Sequence, residues 1–359
     1  MFNNSTFFIG LDLGDKQSHI FVLDPKGEVI EESRLPTNPT SLQRKFASLP
    51  RSRVAMEVGA HSRWASQLLK DLGHEVLVAN ARKLRAIYSN PRKGDRADAE
   101  TLARLARLDP NLLSPIHHRS PQAQADLAIL RSRDALVRSR TLLINHVRSV
   151  AKSSGARLPS CSADSFSNKA AASIPQPLCP ALLPLLETIA SLTQQIHAYD
   201  RQITSLGETR YPETQPLRRI DGVGPITALA FVLTLEDPSR FQKSREVGPA
   251  IGLVPRTDQS GDRDPQLRIT KTGNSYLRRL LVNSAQYMLG PFGPECELRT
   301  WGLMLAERGG KNAKKRAVVA VARKLAILLH RLWKNGEIYD PFYRSRSNAG
   351  QPVIASAAA

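Results

Sequence analysis

The chain has 359 residues, and 51 lysines and arginines against 32 aspartates and glutamates leave it a net charge of +19. An excess of that size, spread through segments with folding patterns, points to polyanions, nucleic acid ahead of an anionic membrane surface, and the length favours several domains over one small core. No apolar run approaches the ~18 residues of a membrane span, and "AVVAVARKLAILL" is interrupted by Arg323 and Lys324.

The N-terminus lacks a basic region ahead of its apolar residues, and Cys161, Cys179 and Cys296 share no metal-type spacing. The expectation is a cytoplasmic protein with no membrane association, no disulfide framework and no zinc.

"FFIGLDLG", "SHIFVLD" and, after a "PKG" turn, "EVIEESRL" read as strands joined by short turns. A helix is predicted over 40–48, then a buried strand "RSRVAME", a helix "SRWASQLLKDLG", a strand "HEVLVAN" and an amphipathic helix "ADAETLARLARL". Three strands followed by helix, strand, helix, strand and helix is the order of a ribonuclease H fold. It predicts such a domain over 1–115.

A helical arm is predicted over 116–208. Leu130, Val137 and Ile144 recur every seven residues, and Leu182, Leu185, Ile189, Leu192, Ile196, Tyr199, Ile203 and Leu206 alternate three and four apart. That spacing is a coiled-coil seam, open to an intramolecular hairpin and to a dimerisation arm alike. The Ser/Pro-rich stretch 151–180 reads as a loop or linker. A mainly helical domain is predicted over 209–345, and a flexible tail over 346–359.

Four carboxylates stand out by position. Asp12 ends the first strand and Glu57 the fourth, and a ribonuclease H order sets these strands side by side. Asp95 and Asp98 open the last helix of the domain on one face. Clustered carboxylates repel unless a divalent cation neutralises them, and hard oxygen ligands suit Mg²⁺. Taken singly, each acid is as well explained by a turn or a helix N-terminus.

The first turn, "IGLDLGDKQSH", also resembles that of actin-like sugar kinases, but no second phosphate loop or adenosine site follows. Candidate phosphate contacts are Lys93, Gly222 and Gly224 in the "DGVG" turn, Lys271, Arg278, Arg279, and the Lys314–Lys315 pair.

"IGLDLG", "AMEVG" and "KGDRADAETLARL", followed by "RRIDGVGPITA", "IGLVPRTDQSG" and "RITKTGNSYLRRLL", resemble insertion-sequence transposases of the IS-one-ten type in both halves. The resemblance implies a RuvC-like domain joined by a coiled coil to a transposase domain. It implies Mg²⁺ (with Mn²⁺ as a substitute) held by Asp12, Glu57, Asp95 and Asp98, and Ser260 as a nucleophile that links covalently to DNA. Double-stranded DNA from element ends and target, a structured guide RNA from the element, and a homodimer assembling to a tetramer are the implied partners. The competing readings are a structure-specific nuclease using only the acids and a non-enzymatic nucleic-acid-binding protein.

Overall fold

The computed structural model describes residues 6–80, 94–261, 263–265 and 267–343. It divides into two compact units, Met1–His118 and Arg119–Ala359.

The first unit is a mixed five-stranded sheet with helices on both faces. Strands β1 (Phe8–Leu13), β2 (Gln17–Leu23) and β3 (Val29–Pro36) form an antiparallel meander. β4 (Arg53–Glu57) and β5 (Glu75–Ala79) add on in parallel, giving the order β3-β2-β1-β4-β5. The parallel additions need crossovers, which α1 (Pro39–Ala47) and α2 (Ser62–Asp71) supply. Asn38 caps α1 by accepting from the Ser41 N–H.

Strand alternation sorts side chains to the two faces. Ile9, Leu11, Val54 and Met56 point one way into a core shared with Leu42, Phe46, Ala65 and Leu69 of α1 and α2. The other face carries Gly10, Ala55 and Phe21 against α3 (Asp95–Leu108), which presents Ala99, Leu102, Ala103 and Ala106. Small residues meet small residues here, and α3 lies almost on the strand backbone. A Cβ on Gly10 would stand 1.8 Å from the Ala99 carbonyl oxygen.

The second unit is helical. α4 (Pro121–Ser153) and α6 (Cys179–Thr209) pair antiparallel within the one chain, so the heptad pattern builds an intramolecular hairpin. The seam differs from a strict coiled coil. Leu182, Ile189, Ile196 and Ile203 are buried, but Leu186, Thr193 and Gly207 are buried in place of Leu185, Leu192 and Leu206. The reason is that α6 also packs against α5 (Phe166–Ala171) and α8 (Pro225–Leu235), which widens its covered face.

Polar pins recur every seven residues along α4. Asp126 accepts from Arg210, Tyr211 and Gln122, at 2.7 Å from the tyrosine hydroxyl. Arg133 pairs with Asp200, and Arg140 donates to Asp164 and Thr193. Burial raises the Asp126 pKa, but the three donors outweigh it and hold the carboxyl below its usual range.

The stretch 151–180 is more than a linker. Phe166 and Ala170 of α5 are fully buried among Ile144, Val147, Leu182 and Ile189 and close the end of the hairpin. Beyond α7 (Thr214–Leu217), α8 runs through the centre of the unit with Thr227 to Leu235 all buried. It packs against α4, α6, α7 and α10 (Ser275–Leu289), its Phe231 ring meets Trp333 of α12 (Ala313–Asn335), and α9 (Val247–Ala250) and α11 (Glu297–Glu307) pack on α12.

Candidate active site

The sheet register builds the acidic site. Leu11 pairs with Met56 in the parallel β1–β4 ladder, so Asp12 and Glu57 follow side by side at the strand ends. Asp12 lies two residues beyond Gly10 and Glu57 two beyond Ala55, which sets both on the face that α3 covers. Asp95 and Asp98 occupy the first turn of α3, where a carboxylate is favoured by the positive helix end.

The four acids converge electrostatically. The Asp12 pKa is raised from 3.8 to about 6, first by burial and then by the charges of Asp95, Asp98 and Glu57. They do not form a closed coordination sphere: among the described residues no three His, Cys, Asp or Glu side chains make a ready metal-binding group.

A residue that sequence reading missed stands beside the acids. His19 is the cross-strand partner of Asp12, is buried, and has its Nε2 3.6 Å from the Asp95 carboxylate. Nothing in "SHIFVLD" marks it, because only the β1–β2 register brings it beside the acids.

Ser260 stands exposed at the tip of an antiparallel excursion. Arg256 and Thr270 donate backbone hydrogen bonds to Arg268 and Val254 at its base. At its tip Ser260 and Arg263 exchange N–H···O bonds of 3.2 and 3.1 Å. Gly261 takes φ +55°, a value that Gly adopts at no steric cost, and turns the chain there. The serine is thus presented on a hydrogen-bonded turn.

The basic candidates divide. Arg278 donates through Nη1 to the Ile251 and Thr272 carbonyls, so its guanidinium braces the "TKTG" loop. Lys271 is exposed in that loop with φ 54°. Arg279 pairs with Asp134 at 2.6 Å. Lys314 and Lys315 lie exposed in the first turn of α12, where the helix dipole disfavours cations. Gly222, at φ 83°, backs onto Tyr287 and the Ser284 carbonyl, which makes it a packing residue, while Gly224 is exposed at the start of α8. Lys93 lies outside the described residues.

Comparison with known proteins bears on both units. A model described as Transposase IS116/IS110/IS902 family matches residues 214–297, and a DEDD transposase model matches 9–154. The transposase for insertion sequence element IS1328 of Yersinia enterocolitica is 31% identical over 286 residues, 77% of this chain and 82% of the relative. The chain belongs to the IS110/IS116/IS902 transposase family.

This transposase is also similar along nearly its whole length to two further relatives. The probable family 20 transposase of Pseudomonas aeruginosa is 28% identical over 93% of this chain and 98% of the relative. The transposase for insertion sequence element IS1111A of Coxiella burnetii is 27% identical over 92% and 90%. Membership makes it an insertion-sequence enzyme that acts on DNA in transposition, and a DEDD domain implies a divalent metal. The donor set fits one. All four side chains are hard oxygen donors, and their mutual repulsion, visible at Asp12, is what a divalent cation relieves. Among the described residues no helix is long and apolar enough to cross a membrane.

Proposed function

We propose that the first unit is a ribonuclease H-like nuclease domain and that the transposase cuts and rejoins DNA through Asp12, Glu57, Asp95, Asp98 and Ser260. The observation that carries this is the convergence of three carboxylates on a half-buried Asp12, whose pKa they help raise to about 6. A structural cap has no use for that repulsion, which costs the fold stability.

Mg²⁺, when bound, neutralises the acids and polarises a phosphodiester. The protein's own part is to hold the four carboxylates on strand ends and one helix turn. The Ser260 hydroxyl attacks phosphorus and loses its proton, one deoxyribose oxygen leaves as a hydroxyl, and a phosphoserine ester results. Attack by a deoxyribose hydroxyl on that ester restores the serine and completes rejoining. The exposed position of Ser260 at a turn tip supports this role, since an attacking group must reach a bulky duplex.

A structured guide RNA from the element and a homodimer assembling to a tetramer complete the reading. Both rest on the family resemblance, and the guide RNA also on the +19 charge, which exceeds the needs of a small-molecule enzyme.

End-labelled DNA resolved on denaturing gels tests the chemistry. Asp12→Asn abolishes cleavage, and Ser260→Ala binds nucleic acid yet yields neither covalent protein–DNA adduct nor recombinant. Free cut ends from Ser260→Ala at the wild-type rate would establish a plain nuclease instead.

A further inference from the structure

A cavity of about 700 Å³ in the second unit is lined by Arg119, Arg131, Arg138 and Arg279 with a single acid, Asp134. None of the four catalytic acids, nor Ser260, lines it. We propose that this cavity grips the phosphodiester backbone of the nucleic acid, an inference that rests on reading the chain as a nucleic-acid enzyme.

The charge count is the first ground. Four guanidiniums and one carboxylate line a single concavity. Like charges so placed repel, and a polyanion relieves the repulsion. Guanidinium forks also match the geometry of phosphate oxygens.

The second ground is how the cavity is built. Arg131, Asp134 and Arg138 are three and four residues apart and share one face of α4. Arg279 comes from α10, and Asp134 pairs with both Arg279 and Arg138, at 2.6 and 3.1 Å. The one acid thus orients two of the arginines. Arg119 is tethered through Nε to the Thr234 carbonyl at 2.9 Å.

The third ground is the adjoining helix end. Asn274 caps α10 by accepting from the Tyr276 and Leu277 N–H groups, and Asn274 and Ser275 form part of the cavity wall. The positive end of a 15-residue helix therefore adds to the arginine field.

The test is a titration of the full chain, in chelator, with a short DNA duplex and separately an RNA duplex across a salt series. The double variant Arg131→Gln, Arg138→Gln should lose roughly tenfold or more in affinity, with the slope of log affinity against log salt falling by about 2. A charge-matched variant at the far end of the hairpin, Lys152→Gln with Lys169→Gln, should stay near wild type.

Ser275→Glu supplies a second, independent readout. An acid in the first helical turn maintains or raises the melting temperature, so weakened nucleic-acid binding in this variant cannot come from unfolding. Loss on DNA alone or on RNA alone names the strand that the cavity holds.

The proposal is overturned if the arginine variant matches the lysine control on both duplexes, or if Ser275→Glu binds at full strength. Cleavage by the wild type, and its loss in Asp12→Asn, is read separately. The cavity and the active-site reading can therefore fail independently.

Discussion

Gly10→Ala is the sharpest probe of how the fold sets the proposed active site. The added Cβ would lie 1.8 Å from the Ala99 oxygen and 2.7 Å from the Ala103 nitrogen, both backbone atoms that cannot rotate away. To reach even 3.0 Å, α3 has to retreat by about 1.2 Å from β1. Overpacking of this kind costs about 1–3 kcal/mol. The same retreat carries Asp95 and Asp98 away from Asp12 and Glu57, and a displacement near 1 Å can lower a rate by ~10²-fold.

Urea denaturation and strand cleavage with Mg²⁺, measured on the same preparation, read both effects. Gly59→Ala, whose Cβ meets nothing within 4 Å, is the control and should keep wild-type stability. If Gly10→Ala stays within about 0.5 kcal/mol of wild type and cuts at full rate, the close approach of helix and strand does not set the site.

Two further predictions concern pH. Because the folded state raises the Asp12 pKa from 3.8 to about 6, ionising Asp12 costs the fold stability as pH rises through that window, and the penalty is complete above it. In chelator, Asp12→Asn should therefore be more stable than wild type at pH 7.5, by about 1–2 kcal/mol after solvent screening, and equal to it near pH 3.5. A destabilised variant at pH 7.5 would contradict the crowding of the acids. Asp126 has the opposite sign: its lowered pKa contributes stability above the ordinary carboxylate range that is lost on acidification. Asp126→Ala should cost about 1–2 kcal/mol at neutral pH by leaving the Tyr211 hydroxyl without its acceptor, while the half-exposed Arg210 turns to solvent, with urea midpoints as the measure.

The strand and helix order of the first unit is legible because its segments are short, alternate cleanly and are joined by tight turns. That order alone sets Asp12 beside Glu57. His19 escaped notice because an isolated histidine in a strand carries no signal until the register puts it opposite Asp12. Arg278 looked like a phosphate contact because sequence cannot display the two carbonyls that it holds. Phe166 was hidden by the Ser- and Pro-rich composition around it, which masks a single buried anchor.

The heptad spacing located the paired helices but could not count chains. The polar pairs fix the direction and register: Asp126 with Arg210, Arg133 with Asp200 and Arg140 with Thr193 match when the two helices run antiparallel, as they do within this chain.

Those pins also give the hairpin a fixed length. A slip of one heptad in one direction carries Arg133 toward Arg210, and in the other carries Asp126 toward Asp200, like charge against like in both cases. At 1.5 Å per residue, the 33 residues of α4 make a strut of about 50 Å that cannot creep along its partner. Near 3.4 Å per base pair, it spans about 15 base pairs of duplex. A strut of constant reach keeps whatever its two ends carry about 50 Å apart.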